Sequence, residues 1–100
     1  MILEVADFRT EDAVDFEAAM HELAGVIASA DGYGGHTVER SIETPGRYVL
    51  LVRWESIEHH QRFRDSDAFS RWKERLGHHR DGAFVEHAEN VLSNAWSSTT

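Results

Sequence analysis

A chain of 100 residues, 41% of them hydrophobic, has the size of one domain and the apolar content of a real core, which sets aside disorder. Its formal net charge of −8 would be repelled by a phosphate backbone, so no nucleic-acid partner is expected. There is no cysteine, which excludes disulfides and thiolate metal sites and permits a reducing compartment, and no apolar run long enough for a bilayer or a signal peptide. A cytoplasmic location without membrane attachment is therefore expected.

In chain order, Ile2 to Phe8 alternates as a strand, with Leu3, Val5 and Asp7 on one side and Ile2, Ala6 and Phe8 on the other. Thr10 is the expected N-cap of a helix whose first turn carries Glu11 and Asp12, where the helix dipole favours acids. Phe16, Met20, Leu23 and Ile27 recur at helical spacing, and Asp31-Gly32 ends the helix. Tyr33 to Glu43 follows as a strand with a bulge or close approach at Gly34-Gly35. Thr44-Pro45-Gly46-Arg47 then predicts a type II turn into a strand from Arg47 to Trp54, apolar on both faces. Ser56 caps a short helix in which Ile57, His60 and Arg64 share a side beside Phe63. Asp65-Ser66-Asp67 breaks it, and Phe69, Trp72 and Leu76 stripe the second piece up to Gly77. Ala83 to Val91 is the last strand, with Phe84, Glu86 and Ala88 opposite Val85, His87 and Glu89.

Strand, helix, strand, strand, broken helix, strand is the split βαβ order of a ferredoxin-like α+β fold with a four-stranded antiparallel sheet. One domain over residues 1–96 is expected, with a frayed tail from Ser97 to Thr100. Helices cover one face of such a sheet. Because the third strand is apolar on both faces, a second copy of the chain is the expected cover for the other face, as a homodimer.

Gly32-Tyr33-Gly34-Gly35, the Pro45-Gly46-Arg47-Tyr48 turn, Val52-Arg53-Trp54-Glu55-Ser56, and Ser66-Asp67-Ala68-Phe69 with Trp72 occur in an order and spacing that resembles the antibiotic biosynthesis monooxygenase family of the dimeric α/β-barrel superfamily. Val85-Glu86-His87 resembles the last strand of one branch, which also has a histidine where His60 stands. The resemblance implies a dimer, a pocket between sheet and helices, and oxidation of a small phenolic or quinol compound by oxygen with no metal, flavin or other cofactor. The haem-degrading branch has Asn, Trp and His at positions held here by Asp7, Phe63 and Lys73, so haem degradation is not implied.

Oxygenation without a cofactor needs an aromatic-lined pocket, a base that makes an electron-rich anion, and a polar group that holds it. Histidine is the base suited to neutral pH. His60, near Trp54 and Phe63, is the first candidate, its alternative being a helix histidine bonded to a backbone carbonyl. His87 is the second, its alternative being a residue of the dimer interface. Asp7 could orient the base or a substrate hydroxyl, or be a surface carboxylate at the strand's end. Trp54, Phe63, Phe69 and Trp72 are the expected pocket wall, a role compatible with core packing. His78 and His79 suit a helix C-terminus, and His21 and His59 read as solvated.

Adjacent His59 and His60 diverge by roughly 100° on a helix and cannot share a metal, and no HExxH or CxxC spacing occurs. Gly32-Tyr33-Gly34-Gly35 precedes no helix, so it is no phosphate loop. The alternative to an oxygenase is a non-catalytic dimeric protein that binds a small aromatic ligand in the same pocket.

Overall fold

The computed structural model describes residues 1–79 and 84–94. The expected tail from Ser97, the domain end at residue 96, the strand start at Ala83 and the side chain of His78 lie outside the described residues.

The elements are β1 (Ile2–Arg9), α1 (Ala13–Ala28), β2 (Tyr33–Arg40), β3 (Arg47–Trp54), α2 (Ile57–Arg64), α3 (Asp67–Leu76), a 3₁₀ turn at Gly77–His79, and β4 (Phe84–Glu89). The four strands form one antiparallel sheet in the order β2-β3-β1-β4. This is the ferredoxin-like α+β fold that the element order predicts.

Strand parity sorts the sheet into two faces. Glu4, Ala6 and Phe8 of β1 and Tyr48, Leu50, Val52 and Trp54 of β3 are buried on the helix face, against Phe16, Ala19, Met20, Leu23 and Ile27 of α1. The other face carries Leu3, Val5, Val49 and Leu51, none of them fully buried. Phe84 pairs with Asp7 and so stands on that same open face, about half exposed.

Local chemistry moves three expected features. Asp12, not Thr10, caps α1: its carboxylate accepts the Asp15 N–H at 3.0 Å, where a residue three before the helix start cannot reach. Thr10 instead accepts the Asp12 N–H at 3.0 Å and meets His79 Nδ1 at 2.6 Å. β2 stops at Arg40 rather than Glu43, because the Ser41 hydroxyl accepts the Thr44 N–H at 3.0 Å and turns the chain early. On α2 the buried pair is His60 and Phe63, while Ile57 and Arg64 lie outward.

The bulge expected at the glycines is present as a register shift between Tyr33 and His36. Gly32 takes φ +81° beneath the ring of His59, whose atoms would lie 2.4 Å from an added Cβ. His59 is thus no free surface residue: its ring is 16% exposed and bonded to Ser56 Oγ at 2.7 Å.

Gly46 has φ +81°, and a Cβ there would stand 2.3 Å from the Thr10 carbonyl oxygen, which leaves no room for a side chain. Gly46→Ala is expected to cost about 2 kcal/mol or more in urea denaturation, from backbone strain plus the clash. Gly25, inside α1 with nothing within 4 Å of an added Cβ, is the control of opposite sign. Gly25→Ala should stabilise by roughly 0.8 kcal/mol through helix propensity.

Candidate functional site

Glu4 sits in the middle of β1, directly across from Val52 on β3 and His87 on β4. Directly opposed residues share a face, so Glu4 and His87 both turn toward the helices. β3 ends at Trp54, and Ser56 starts α2 two residues later by accepting the His59 N–H at 3.2 Å. That short connection folds the first turn of α2 back over Trp54. The His60 ring stacks on the indole at 5.2 Å with an interplanar angle of 15°.

Side chains from these four elements meet in one polar chain. Trp54 Nε1–H donates to Glu4 Oε1 at 2.9 Å, and His60 Nε2 lies 3.2 Å from the same oxygen. The other ring nitrogen, His60 Nδ1, is 2.7 Å from His87 Nε2. Trp54, Glu4 and His60 are buried, whereas His87 is exposed, so the chain leads from the core to solvent. Burial raises the Glu4 carboxyl above its usual 4.5, against the pull of the Trp54 N–H and the Arg64 charge. Burial lowers His60 to about 4, helped by the charges of His87 and Arg64. The pair therefore holds a neutral imidazole at neutral pH. What the arrangement can do chemically is accept a proton at its outer histidine beside an aromatic surface.

The residues expected as a pocket wall pack together as one aromatic cluster. Phe63, one turn along from His60, lies 5.6 Å from Trp54 and 5.6 Å from Phe69, and Trp72 lies 6.4 Å from Phe63. Trp54, Phe63 and Trp72 are buried and pack against one another, and Phe69 is half-buried at their edge.

Asp7 is not brought to this group. Its odd parity on β1 puts it on the opposite face of the sheet, where Arg47 Nε lies 3.3 Å from Oδ1. Glu4 is the member that reading the sequence missed. The available signal was parity: Glu4 is in phase with Ala6 and Phe8, the apolar set that faces the core.

Other features lie away from the His60–His87 pair. A cleft of about 400 Å³ between α1 and β2 is bordered by Met20, Val38 and Tyr48, whose hydroxyl donates to Glu17 at 2.5 Å while Arg40 holds the same carboxylate at 3.0 Å. Among the described residues, no group of three or more His, Cys, Asp or Glu is placed to hold a metal ion, and no helix is long and apolar enough to cross a membrane.

A sequence profile of the family described as antibiotic biosynthesis monooxygenase (ABM) matches residues 1–75. The uncharacterized protein YczJ of Bacillus subtilis (strain 168) is 33% identical over 96 residues, which cover 91% of this chain and 100% of YczJ. Among solved structures, a Bordetella bronchiseptica protein assigned to the antibiotic biosynthesis monooxygenases superposes with a TM-score of 0.85 at 34% identity, over 91% of this chain and 97% of the other. SnoaB of Streptomyces nogalater, named a cofactor-independent oxygenase, superposes with a TM-score of 0.77 at 20% identity, over 95% and 96% of the two chains, a likeness of fold.

The burial of His60 sets an acid limit on the fold. Between 6.5 and about 4 the unfolded chain binds the more protons at this residue, so its contribution to stability is intact above 6.5 and is lost as the pH falls toward 4. Glu4 has the opposite sign, its contribution being lost as the pH rises through its raised folded value. In NMR titration the His60 ring should stay neutral through pH 6.5 and protonate near 4. In urea denaturation, His60→Phe should flatten the fall of stability between those two values. A ring that titrates near 6.5 would contradict the burial argument.

Proposed function

This chain belongs to the antibiotic biosynthesis monooxygenase family, and from that premise we propose that it is a cofactor-independent oxygenase of a small phenolic or quinol compound. In this reading it works as a homodimer in the cytoplasm. The observation that carries the reading is the His60–His87 pair, bonded at 2.7 Å, with the His60 ring stacked on Trp54 at the edge of the aromatic cluster. The name of SnoaB as a cofactor-independent oxygenase, on the same fold, supports it.

The chemistry asks little of the protein. A phenol or an anthrone-type CH₂ group becomes a reductant of oxygen once it loses a proton. For an anthrone-type substrate, one atom of O₂ ends in the new carbonyl and the other leaves as water with the two hydrogens of the CH₂. The protein binds the flat ring against Phe69 and its buried neighbours, takes the proton at the histidine pair, and keeps water from the anion. His87, exposed at the outer end, meets the substrate, and buried His60 stands behind it. Trp54, Phe63 and Trp72 form the rigid backing of the ring site.

The dimer rests on the open face of the sheet. Leu3, Val5, Val49, Leu51 and Phe84 share that face, and no element of the same chain among the described residues packs over it. Covering such a surface gains roughly 25 cal/mol per Å² of apolar area, which a second copy supplies symmetrically.

Two measurements test the reading. Light scattering at micromolar concentration should give twice the chain mass of 11.4 kDa, and Leu51→Glu should shift it toward one chain by burying a charge in the interface. In an oxygen electrode, an anthrone-type substrate should consume oxygen with no added metal, flavin or nicotinamide. His87→Ala should then lower kcat by about two to four orders of magnitude, the scale of a lost general base. Binding of an aromatic panel with no oxygen uptake would instead establish a ligand-binding protein.

A further inference from the structure

Trp54 offers the buried end of the chain a group of fixed polarity. An indole N–H can only donate, so Glu4 Oε1, 2.9 Å away, accepts. His60 Nε2 lies in charge contact with the same oxygen at 3.2 Å, where an N–H is favoured over a second bare lone pair. A neutral imidazole with its proton on Nε2 has a bare Nδ1, and His60 Nδ1 is 2.7 Å from His87 Nε2, which must then donate in turn.

Resting on the reading of the two histidines as the base, we propose that Glu4 is a positioning residue that locks His60 and, through it, His87 in the Nε2–H tautomer. The nitrogen left bare to take a proton is then His87 Nδ1. No other group among the described residues is bonded to it. The lowered proton affinity of His60 supports the argument, since it keeps the middle ring neutral and so able to donate on one side while accepting on the other. Glu4 itself is buried and touches neither solvent nor substrate; it acts by orientation alone.

The two carboxyl-side substitutions separate acceptor from charge. Glu4→Gln keeps an oxygen where Oε1 stands, whereas Glu4→Leu removes every acceptor. Long-range ¹⁵N–¹H spectra of the ¹⁵N-histidine-labelled protein at pH 7 report which ring nitrogen carries the proton. Wild type should show His60 and His87 both protonated at Nε2, Glu4→Gln should retain this pattern, and Glu4→Leu should show the Nδ1–H form of His60. A wild-type His60 protonated at Nδ1 overturns the proposal, and so does an unchanged pattern in Glu4→Leu. If Glu4→Leu fails to fold, the wild-type and Glu4→Gln spectra still decide it. These spectra need no turnover, so they stand apart from the oxygenase reading. Where oxygen uptake is present, kcat should fall about a hundredfold in Glu4→Leu at constant KM and recover largely in Glu4→Gln, the lower end of what losing a general base costs.

Discussion

A carboxylate taken out of water must be hydrogen-bonded or lose its charge, and the centre of this fold is arranged around Glu4 under that constraint. Glu4 is 6% exposed on a strand whose neighbours Ala6 and Phe8 are fully apolar. Its partners come from three other elements: the Trp54 indole from the end of β3, His60 from α2, and through His60 the ring of His87 on β4. Each partner fixes a larger piece. The bond to the indole orients a wholly buried side chain. The contact to His60 sets how α2 lies over β3, and the histidine pair ties the edge strand β4 to that helix. A single buried carboxyl group thus couples sheet, helix and edge strand at the place where the candidate chemistry sits.

The opposite end of the helical layer is held by a separate polar seam. Arg75 of α3 donates two bonds of 2.9 Å to the Asp15 carboxylate of α1 and reaches Glu22 at 3.0 Å. His79 lies between Asp15, at 2.8 Å, and Thr10, at 2.6 Å, and is 1% exposed. The seam bridges the β1–α1 loop, α1 and the end of α3. It is a structural use of histidine, with both ring nitrogens engaged by the fold, and it contrasts with exposed His87, which meets His60 through one ring nitrogen. The seam rigidifies this end because losing Asp15 or Thr10 would deprive the buried His79 ring of one of its partners.

The sheet separates two environments by parity alone. On the helix face, aromatic rings and the Glu4 chain exclude water. On the open face, Asp7 meets Arg47 among half-buried valines and leucines. Asp7 and Glu4, three positions apart on one strand, therefore serve different surfaces. Reading Asp7 as a partner of the base fails on geometry, since an odd and an even position of one strand cannot meet on the same side.

Much of the fold was legible in the residues themselves. The helical spacing of Phe16, Met20, Leu23 and Ile27, the Pro45-Gly46 turn, the Ser56 and Ser66 caps and the two-faced β3 act within a few residues, and a local rule reads them. So does the pairing of an aromatic wall with His60, since Phe63 follows it by one helical turn. The neighbour of His60 was not legible, because it depends on strand order: β4 lies beside β1, and that alone puts His87 opposite Glu4. Nor could local rules assign Thr10, whose hydroxyl is drawn to a histidine 69 positions away rather than to the helix it precedes. Sequence by itself determined the elements, their order and the apolar positions of α1, β3 and α3, because those follow from periodicity and capping. The tertiary structure alone decided which inward polar groups meet. That outcome is set by burying whole faces against one another, and a buried donor or acceptor then takes whatever partner the packing brings within hydrogen-bond reach.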